Sequence, residues 1–561
     1  MKKVEDKKRL KIIPIIIILC IILLIAICIK MIINIPQKKD LTLIINYTDV
    51  TSYLKNEVLR DENGAIYLGQ DDIKNFYDEF IYYDEKYNQI ISTSDENIIK
   101  INLDINEKEI NGVKSKLNNN VILKDEKFYI PVSELEETYN IKADYIEKTN
   151  TIVIDSLEKK LLQTETKKNV NVKNSWSFFS KTAEKVSKGE TLTIAELKAE
   201  EANLIPKNWL KVRTKNGKIG YVKKDTITDE KVVRESKVVE NQMNEKVSLV
   251  WDYFSEYSNA PNRNGTKIEG INVVSPSFFY LEKLGKGNLL KNVDSPGENY
   301  IQWAHSNGYK VWPLISNNSM QETTSEILND CNLRNILINN IIKYVEDYNL
   351  DGVNIDFENL KEEDKDMFSR FIIELTPQLK ALGKVVSVDV TAPDGAPNWS
   401  LCFDRYTLGK VADYIMFMAY DQYGESSDKA GTTAGYDWVE VNIEKFLNQE
   451  GLSAQKLILG IPFYTRLWKE NGEKLTSDAI LIKEINEYIP DDVEKVWKED
   501  LKQNYIQYEK NGATYKMWIE DTDSLKEKLS LIKKYNLQGA CFWAKDFETE
   551  DIWNIIKNSL E

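Results

Sequence analysis

Asp351-Gly352-Val353-Asn354-Ile355-Asp356-Phe357-Glu358 is the stretch on which the fold reading turns. Its β-branched and aromatic residues alternate with polar ones, the period of a strand. Val353, Ile355 and Phe357 share one face. Asn354, Asp356 and Glu358 share the other, which is the interior if the strand belongs to a barrel. Three polar groups in an interior are costly unless they serve a purpose. Asp356 and Glu358 would lie within about 7 Å of each other along the strand. Repulsion and burial would then raise one pKa and keep one carboxyl protonated near neutral pH. That carboxyl can give a proton to a leaving oxygen.

Outward from this stretch, short apolar runs recur between amphipathic segments. The expected strands are Val247–Tyr253, Ile271–Pro276, Lys310–Ile315, Gly352–Phe357, Val385–Thr391, Tyr414–Tyr420, Leu457–Ile461 and Ala540–Trp543. Helical periodicity lies between them, as in Asn335–Tyr348 and Lys365–Leu382. Buried-type strands alternating with helices predict an α/β domain, a (β/α)8 TIM barrel over 246–561. Glu358 would stand at the C-terminal end of its strand, where barrel active sites are built. The polar stretch Lys469–Tyr515 exceeds one crossover and is expected to form a small α+β insertion walling the site.

Composition narrows the chemistry. The chain has 561 residues and a net charge of −15, which disfavours nucleic acid as a partner. It holds one histidine, His305, which disfavours histidine-based metal sites, triads and general bases. The five cysteines show no CxxC and no disulfide pattern. Hydrolytic chemistry must use carboxylates.

These residues resemble glycoside hydrolase family 18, the chitinase-like barrels. The family's fourth-strand signature is DGxDxDxE, and this chain reads DGVNIDFE. Met418-Ala419-Tyr420-Asp421 is similar to its MxYD on the sixth strand, and Lys456 to Tyr464 to its seventh-strand pattern. Trp543 stands where the family places a tryptophan beneath the sugar. The resemblance implies substrate-assisted retention. Glu358 would protonate the leaving oxygen, and the substrate's acetamido carbonyl would attack the anomeric carbon. Asp356 would orient that amide, with Tyr420 and Asp421 holding the acetamido group. Asp351, Asn354, Met418, Tyr464 and Trp543 are the expected substrate-binding residues. No metal and no cofactor enter. The partner implied is a polysaccharide containing N-acetylglucosamine. Asn354 departs from the signature and removes one charge from the stack beneath Asp356. Phe357-Glu358-Asn359 replaces the WEY of many chitinases. Both variations resemble the spore cortex-lytic branch, which shifts the expectation from chitin toward peptidoglycan or cortex.

The N-terminal half reads differently. Ile12 to Ile29 carries no charge and follows Lys2, Lys3, Lys7, Lys8, Arg9 and Lys11. This predicts a cytoplasmic tail over 1–11 and a transmembrane helix over 12–33, with the rest of a monomeric chain outside the cell. Residues 41–156 repeat a pattern of strand, short helix and hairpin, starting at Ile66 and again at Phe128. They resemble the domain named after the N-terminal region of copper amine oxidases. Residues 167–228 are similar to a bacterial SH3 domain, with an Asn216-Gly217 hairpin turn. The charged stretch 229–245 reads as a linker.

Other residues take plainer readings. His305 is expected to be structural. Trp251, Trp312, Trp399 and Trp438 fit a sugar groove or core packing equally. Asp252 and Glu256 are groove candidates. Trp518 lies close to the last barrel helix and fits groove or core.

Overall fold

The computed structural model describes residues 40–197, 199–237, 243 and 245–560. The expected tail and transmembrane helix lie outside them. Among the described residues no helix is long and apolar enough to cross a membrane. The described residues fall into two compact units, one of those up to 72 with those of 122–237, the other of 73–121 with those from 243 onward.

The larger unit is mixed α/β. Its parallel strands are β1 (Val247–Asp252), β2 (Val273–Pro276), β3 (Lys310–Val311), β4 (Leu314–Ser316), β5 (Gly352–Asp356), β6 (Val385–Val390), β7 (Tyr414–Met418), β8 (Leu457–Pro462) and β9 (Gly539–Trp543). β1 pairs with β2, and β2 with β3. From β4 each strand pairs with the next through to β9. β9 then pairs back to β1, Val247 opposite Gly539 and Trp251 opposite Trp543. The strand expected over Lys310–Ile315 is broken into β3 and β4 by Trp312 and Pro313, and a proline has no N–H to give the ladder. Each other strand falls within two residues of its expected bounds.

Alternation along each strand builds two separate cores. Val353, Ile355, Phe357, Val386 and Val388 face the helices, among them α1 (Ser295–Ser306), α2 (Cys331–Asp347) and α3 (Lys365–Ala381). Phe357 stacks on Phe371 of α3 with centroids 5.6 Å apart. Burying such a ring contributes roughly 2–3 kcal/mol. The other parity, with Trp251, Trp312, Leu314, Tyr414, Met416, Ile458 and Cys541, packs inside the ring of strands. Gly352 is required where these layers meet. A Cβ there would stand 2.6 Å from the Val385 carbonyl oxygen and 2.9 Å from the Trp312 ring.

Between β8 and β9 runs a five-stranded antiparallel sheet from Tyr464 to Ile519, the expected insertion with somewhat wider bounds. It is tied to the loop after β7. Trp468 Nε1 donates to the Gly431 carbonyl at 2.8 Å, and Thr432 Oγ1 to Gln503 Oε1 at 2.6 Å. A second antiparallel sheet, from Tyr82 to Lys116, packs on α2 and α3. Lys86 and Tyr87 bond the Asp330 carboxylate at the start of α2, at 2.5 and 2.8 Å. Arg370 of α3 donates to the Phe80 carbonyl at 2.6 Å.

In the other unit, the two strands that open the sequence repeat, Ile66–Gly69 and Lys127–Pro131, pair antiparallel, and each feeds a short helix as expected. The repeat's second hairpin, Ile141–Ser156, pairs with Thr42–Ile45. A seven-stranded antiparallel sheet follows, around Val172, Leu192, Val212 and Val222. The segment read as a linker contributes the strand Lys231–Arg234 to it, paired with Leu161–Gln163. Backbone pairing there overrides the charged composition, because a strand needs only backbone donors and acceptors on its ladder edge.

Candidate active site

β5 projects Asn354 and Asp356 inside the ring, and Glu358 follows two residues past its end. Asn317, just past β4, fixes that exit. Its side chain accepts from the Glu358 N–H at 3.0 Å and donates to the Glu358 carbonyl at 2.9 Å. Glu358, a partly exposed residue, thus leaves the sheet with its backbone clamped.

Asn354 is fully buried and saturated. Trp251 Nε1 donates to its Oδ1 at 2.7 Å. An indole N–H only donates, so this bond fixes the amide's orientation. The Asn354 Nδ2 must then face β6, where it donates to Asp389 Oδ1 at 2.6 Å and Ser387 Oγ at 3.1 Å.

The carboxyls share one region without a cation among their charge partners. Burial, then the Glu358 and Asp389 charges, push Asp356 well above the usual carboxylate range. Burial and the nearby Asp421 push Glu358 up to about 7. Asp389 is also raised, by burial first, against the Asn354 hydrogen bond that favours its ionised form. One carboxyl at this strand end therefore holds a proton at neutral pH, the state a general acid needs.

The loops after β7 and β8 add further groups. Tyr464 OH donates to Asp421 Oδ1 at 2.7 Å, and the rings of Tyr420 and Tyr464 meet edge to face at 6.3 Å. Burial raises both hydroxyl pKa values, so both stay neutral donors. Asp421 is exposed and takes a left-handed φ of 56°. Trp543, at the end of β9, lies 5.8 Å from the Trp251 ring and 5.6 Å from Tyr253, which is 52% exposed.

Thus Glu358, Asp356, Asn354, Tyr420, Asp421, Tyr464 and Trp543 converge on the ends of neighbouring strands. Met418 is nearly buried at the end of β7. Asp351 is not brought to the site, against expectation. It precedes β5, at the opposite end from Glu358, and its carboxylate is taken by His305 Nε2 at 2.8 Å, Lys310 Nζ at 3.1 Å and the Val311 N–H at 3.0 Å. His305 is structural, as expected. Asp252 is not a free groove residue either. It is buried against Arg263 at 2.7 Å and Tyr300 at 3.0 Å. Trp251 and Trp312 are core, Trp399 is 43% exposed, and Trp518 packs on Tyr505 with centroids 4.9 Å apart. Glu256 accepts from Asn318 at 2.7 Å.

Sequence reading missed Asn317, Tyr253 and Asp389. Asp389 was within reach, since β6 has the parity of β5, with Ser387 and Asp389 inward. Among the described residues no group of three or more His, Cys, Asp or Glu could hold a metal ion.

A family model for the glycosyl hydrolases family 18 matches residues 250–548, over half of the chain and all of β5's surroundings. This chain belongs to glycosyl hydrolase family 18. It is a chitinase-like glycosidase. A second model, the copper amine oxidase N-terminal domain, matches residues 50–154. The uncharacterized glycosylase YvbX of Bacillus subtilis is 25% identical over 302 residues, 52% of this chain and 85% of that protein. The cortical fragment-lytic enzyme of Bacillus anthracis is 21% identical over 253 residues, 43% of this chain and 57% of that enzyme. The match thus spans little more than half of that enzyme's length. A chitinase from Chromobacterium violaceum shares the fold, with a TM-score of 0.50 at 23% identity over 56% of this chain and 99% of its own.

Proposed function

We propose that this family 18 glycosidase cleaves β-1,4 bonds next to N-acetylglucosamine in peptidoglycan or spore cortex, by substrate-assisted retaining catalysis. The observation that carries the reading is Glu358, its backbone clamped by Asn317 just past the end of β5 and its carboxyl, beside Asp356, pushed up to about 7. Glu358 donates its proton to the glycosidic oxygen. The acetamido carbonyl of the sugar attacks the anomeric carbon, forming a bicyclic oxazolinium. Asp356 faces its positive charge, Tyr464 holds Asp421 in place, and Trp543 supplies an apolar floor. Water then opens the ring as Glu358 takes back a proton. The relation to a cortical fragment-lytic enzyme supports wall glycan as the substrate. We read the returning ring of parallel strands as a (β/α)8 barrel, the 167–228 region as an SH3-like module, and the chain as tethered by its apolar N-terminal segment with the catalytic unit on the wall side.

The test uses protein from Lys38 onward against purified peptidoglycan, spore cortex and N-acetylglucosamine oligomers, with product masses and reducing ends identified. Muropeptide products ending in N-acetylglucosamine support the reading. Cleavage of the oligomers alone would make the enzyme a chitinase. Binding without cleavage of any of the three would make it an adhesion protein.

A further inference from the structure

Phe179 is 94% exposed, the highest value of any large apolar side chain among the described residues, and it belongs to the unit that holds none of the catalytic groups. Phe178 is 73% exposed and Trp176 39%. The stretch reads Lys173-Asn174-Ser175-Trp176-Ser177-Phe178-Phe179-Ser180-Lys181, aromatic rings among serines, with a lysine at each end and no acid, in a chain whose net charge is −15. It links the strands Val170–Lys173 and Thr182–Val186 of the seven-stranded sheet. The loop is braced from within. The Asn174 N–H donates to the Lys181 carbonyl at 3.0 Å, the Ser180 N–H to the Ser177 carbonyl at 3.1 Å, and Lys173 Nζ to the Ser180 carbonyl at 3.1 Å. These bonds hold two phenyl rings out in water, and clustered apolar exposure of this kind marks an interaction surface.

We propose that this loop is a membrane contact, its rings entering the interface of a bilayer with anionic headgroups while Lys173 and Lys181 lie among the phosphates. The proposal rests in part on the reading of the N-terminal segment as a tether. Ring geometry favours lipid over sugar. A sugar stacks on a flat aromatic face, but Phe178 and Phe179 stand at 86° to each other, and Trp176 and Tyr221 at 82°. Such rings form a wedge, and fluid acyl chains close around a wedge. A phenyl ring also has no polar group to offer a hydroxyl, and acyl chains ask for none. Flanking lysines without acids suit an anionic surface. Topology places the loop beside the point where the chain enters this unit. Lys173 pairs antiparallel with Tyr221, so the loop leaves the sheet toward the Asn216-Gly217 turn. At that end the Glu184 carboxylate accepts from Thr214 and Asn216. The Asn216 carbonyl accepts from Thr149 Oγ1 at 2.9 Å, and the Asn150 carbonyl accepts from the N–H of Thr42, the first residue of the first strand, at 3.0 Å. Between the expected membrane span and Thr42 lie only residues 34–41, which reach at most about 30 Å when fully extended. A tether entering at Thr42 therefore brings this end of the unit to the bilayer.

The test uses protein from Lys38 onward, which contains every described residue and lacks the apolar N-terminal segment, so that binding reports on the loop. It is sedimented with vesicles of equimolar phosphatidylglycerol and phosphatidylcholine, with vesicles of phosphatidylcholine alone, and with peptidoglycan sacculi. The variant F178S/F179S removes the two exposed rings, and circular dichroism and melting confirm its fold. Wild type should bind the anionic vesicles, and the variant should bind them at least tenfold more weakly. Binding to phosphatidylcholine alone should be weaker than to the anionic vesicles. Failure of wild type to bind the anionic vesicles overturns the proposal, as does equal binding by the variant. Loss of the sacculi alone in the variant would make the loop a wall-binding element and also overturns it. Equal binding of wild type to both kinds of vesicle strikes out the role of the lysines. Alkaline carbonate extraction of membranes holding the full chain tests the tether by itself. A full chain released by carbonate, with vesicle binding by the loop intact, would sink the tether and leave the membrane contact standing. A full chain retained, with no vesicle binding by the shorter protein, would sink the contact alone.

Discussion

The two ends of one short strand carry the same chemical group in opposite states. Before β5, Asp351 sits between Lys310, His305 and the Val311 N–H. Burial alone would raise its pKa, and these partners hold it below the usual carboxylate range. At the other end of β5, Asp356 and Glu358 have carboxyls for neighbours and no cation, and both are raised. Burial pushes upward at both ends; around Asp351 the Val311 N–H, His305 and Lys310 outweigh it, while around Asp356 and Glu358 neighbouring acids add to it. An acid given cations is a structural anchor. An acid given other acids keeps a proton that it can lend.

The comparison can be broken most forcefully at Glu358. E358Q should lower kcat by about a thousandfold while leaving oligomer binding intact. It should also change the pH dependence of stability. A carboxyl raised in the folded state contributes stability below its unfolded pKa, and that contribution is lost as pH rises toward about 7. The melting temperature of E358Q relative to wild type should therefore climb between pH 4.5 and 7, as read by scanning calorimetry.

Tyr464→Phe removes the hydroxyl held by Asp421 at 2.7 Å. A hydrogen bond to a charged group is worth about 1.5–3 kcal/mol, so kcat/KM should fall roughly tenfold or more, with melting little changed.

Asp351→Asn should do the reverse, costing about 1–3 kcal/mol of stability and leaving kcat unchanged at 25 °C. Its sign with pH is opposite to that of Glu358. A depressed carboxyl stabilises above its unfolded pKa, and the contribution is lost as pH falls through the folded one. Denaturant melts from pH 7 down to 3 should therefore bring wild type and variant together. The smallest effect belongs to His305→Gln, which removes one half-exposed partner of three and should cost under about 1 kcal/mol.

Much of this was legible in the sequence, and the failures follow a pattern. Strict alternation in DGVNIDFE announced both faces of β5, because a period of two leaves no other assignment once one face must be buried. The family motif then pointed to Glu358, Asp356, Tyr420 and Asp421. The motif also drew in Asp351, which shares the signature but not the location. A sequence shows that two acids lie seven residues apart, but not that a strand carries them to opposite ends of a ring. Asp389 was overlooked for the converse reason. It belongs to no quoted motif, and its importance arises from a contact across strands that no local pattern encodes. The strand at Lys231–Arg234 was hidden by charge, since backbone pairing on a sheet edge tolerates any polar side chain.

The central claim is that Glu358 carries a proton at neutral pH because of where β5 delivers it. The direct measurement is the titration of its carboxyl in protein labelled with carbon-13 glutamate, assigned by comparison with E358Q. A midpoint near 7 is the predicted result. A midpoint in the ordinary glutamate range, about 4.3, would contradict the account and remove Glu358 as the proton donor.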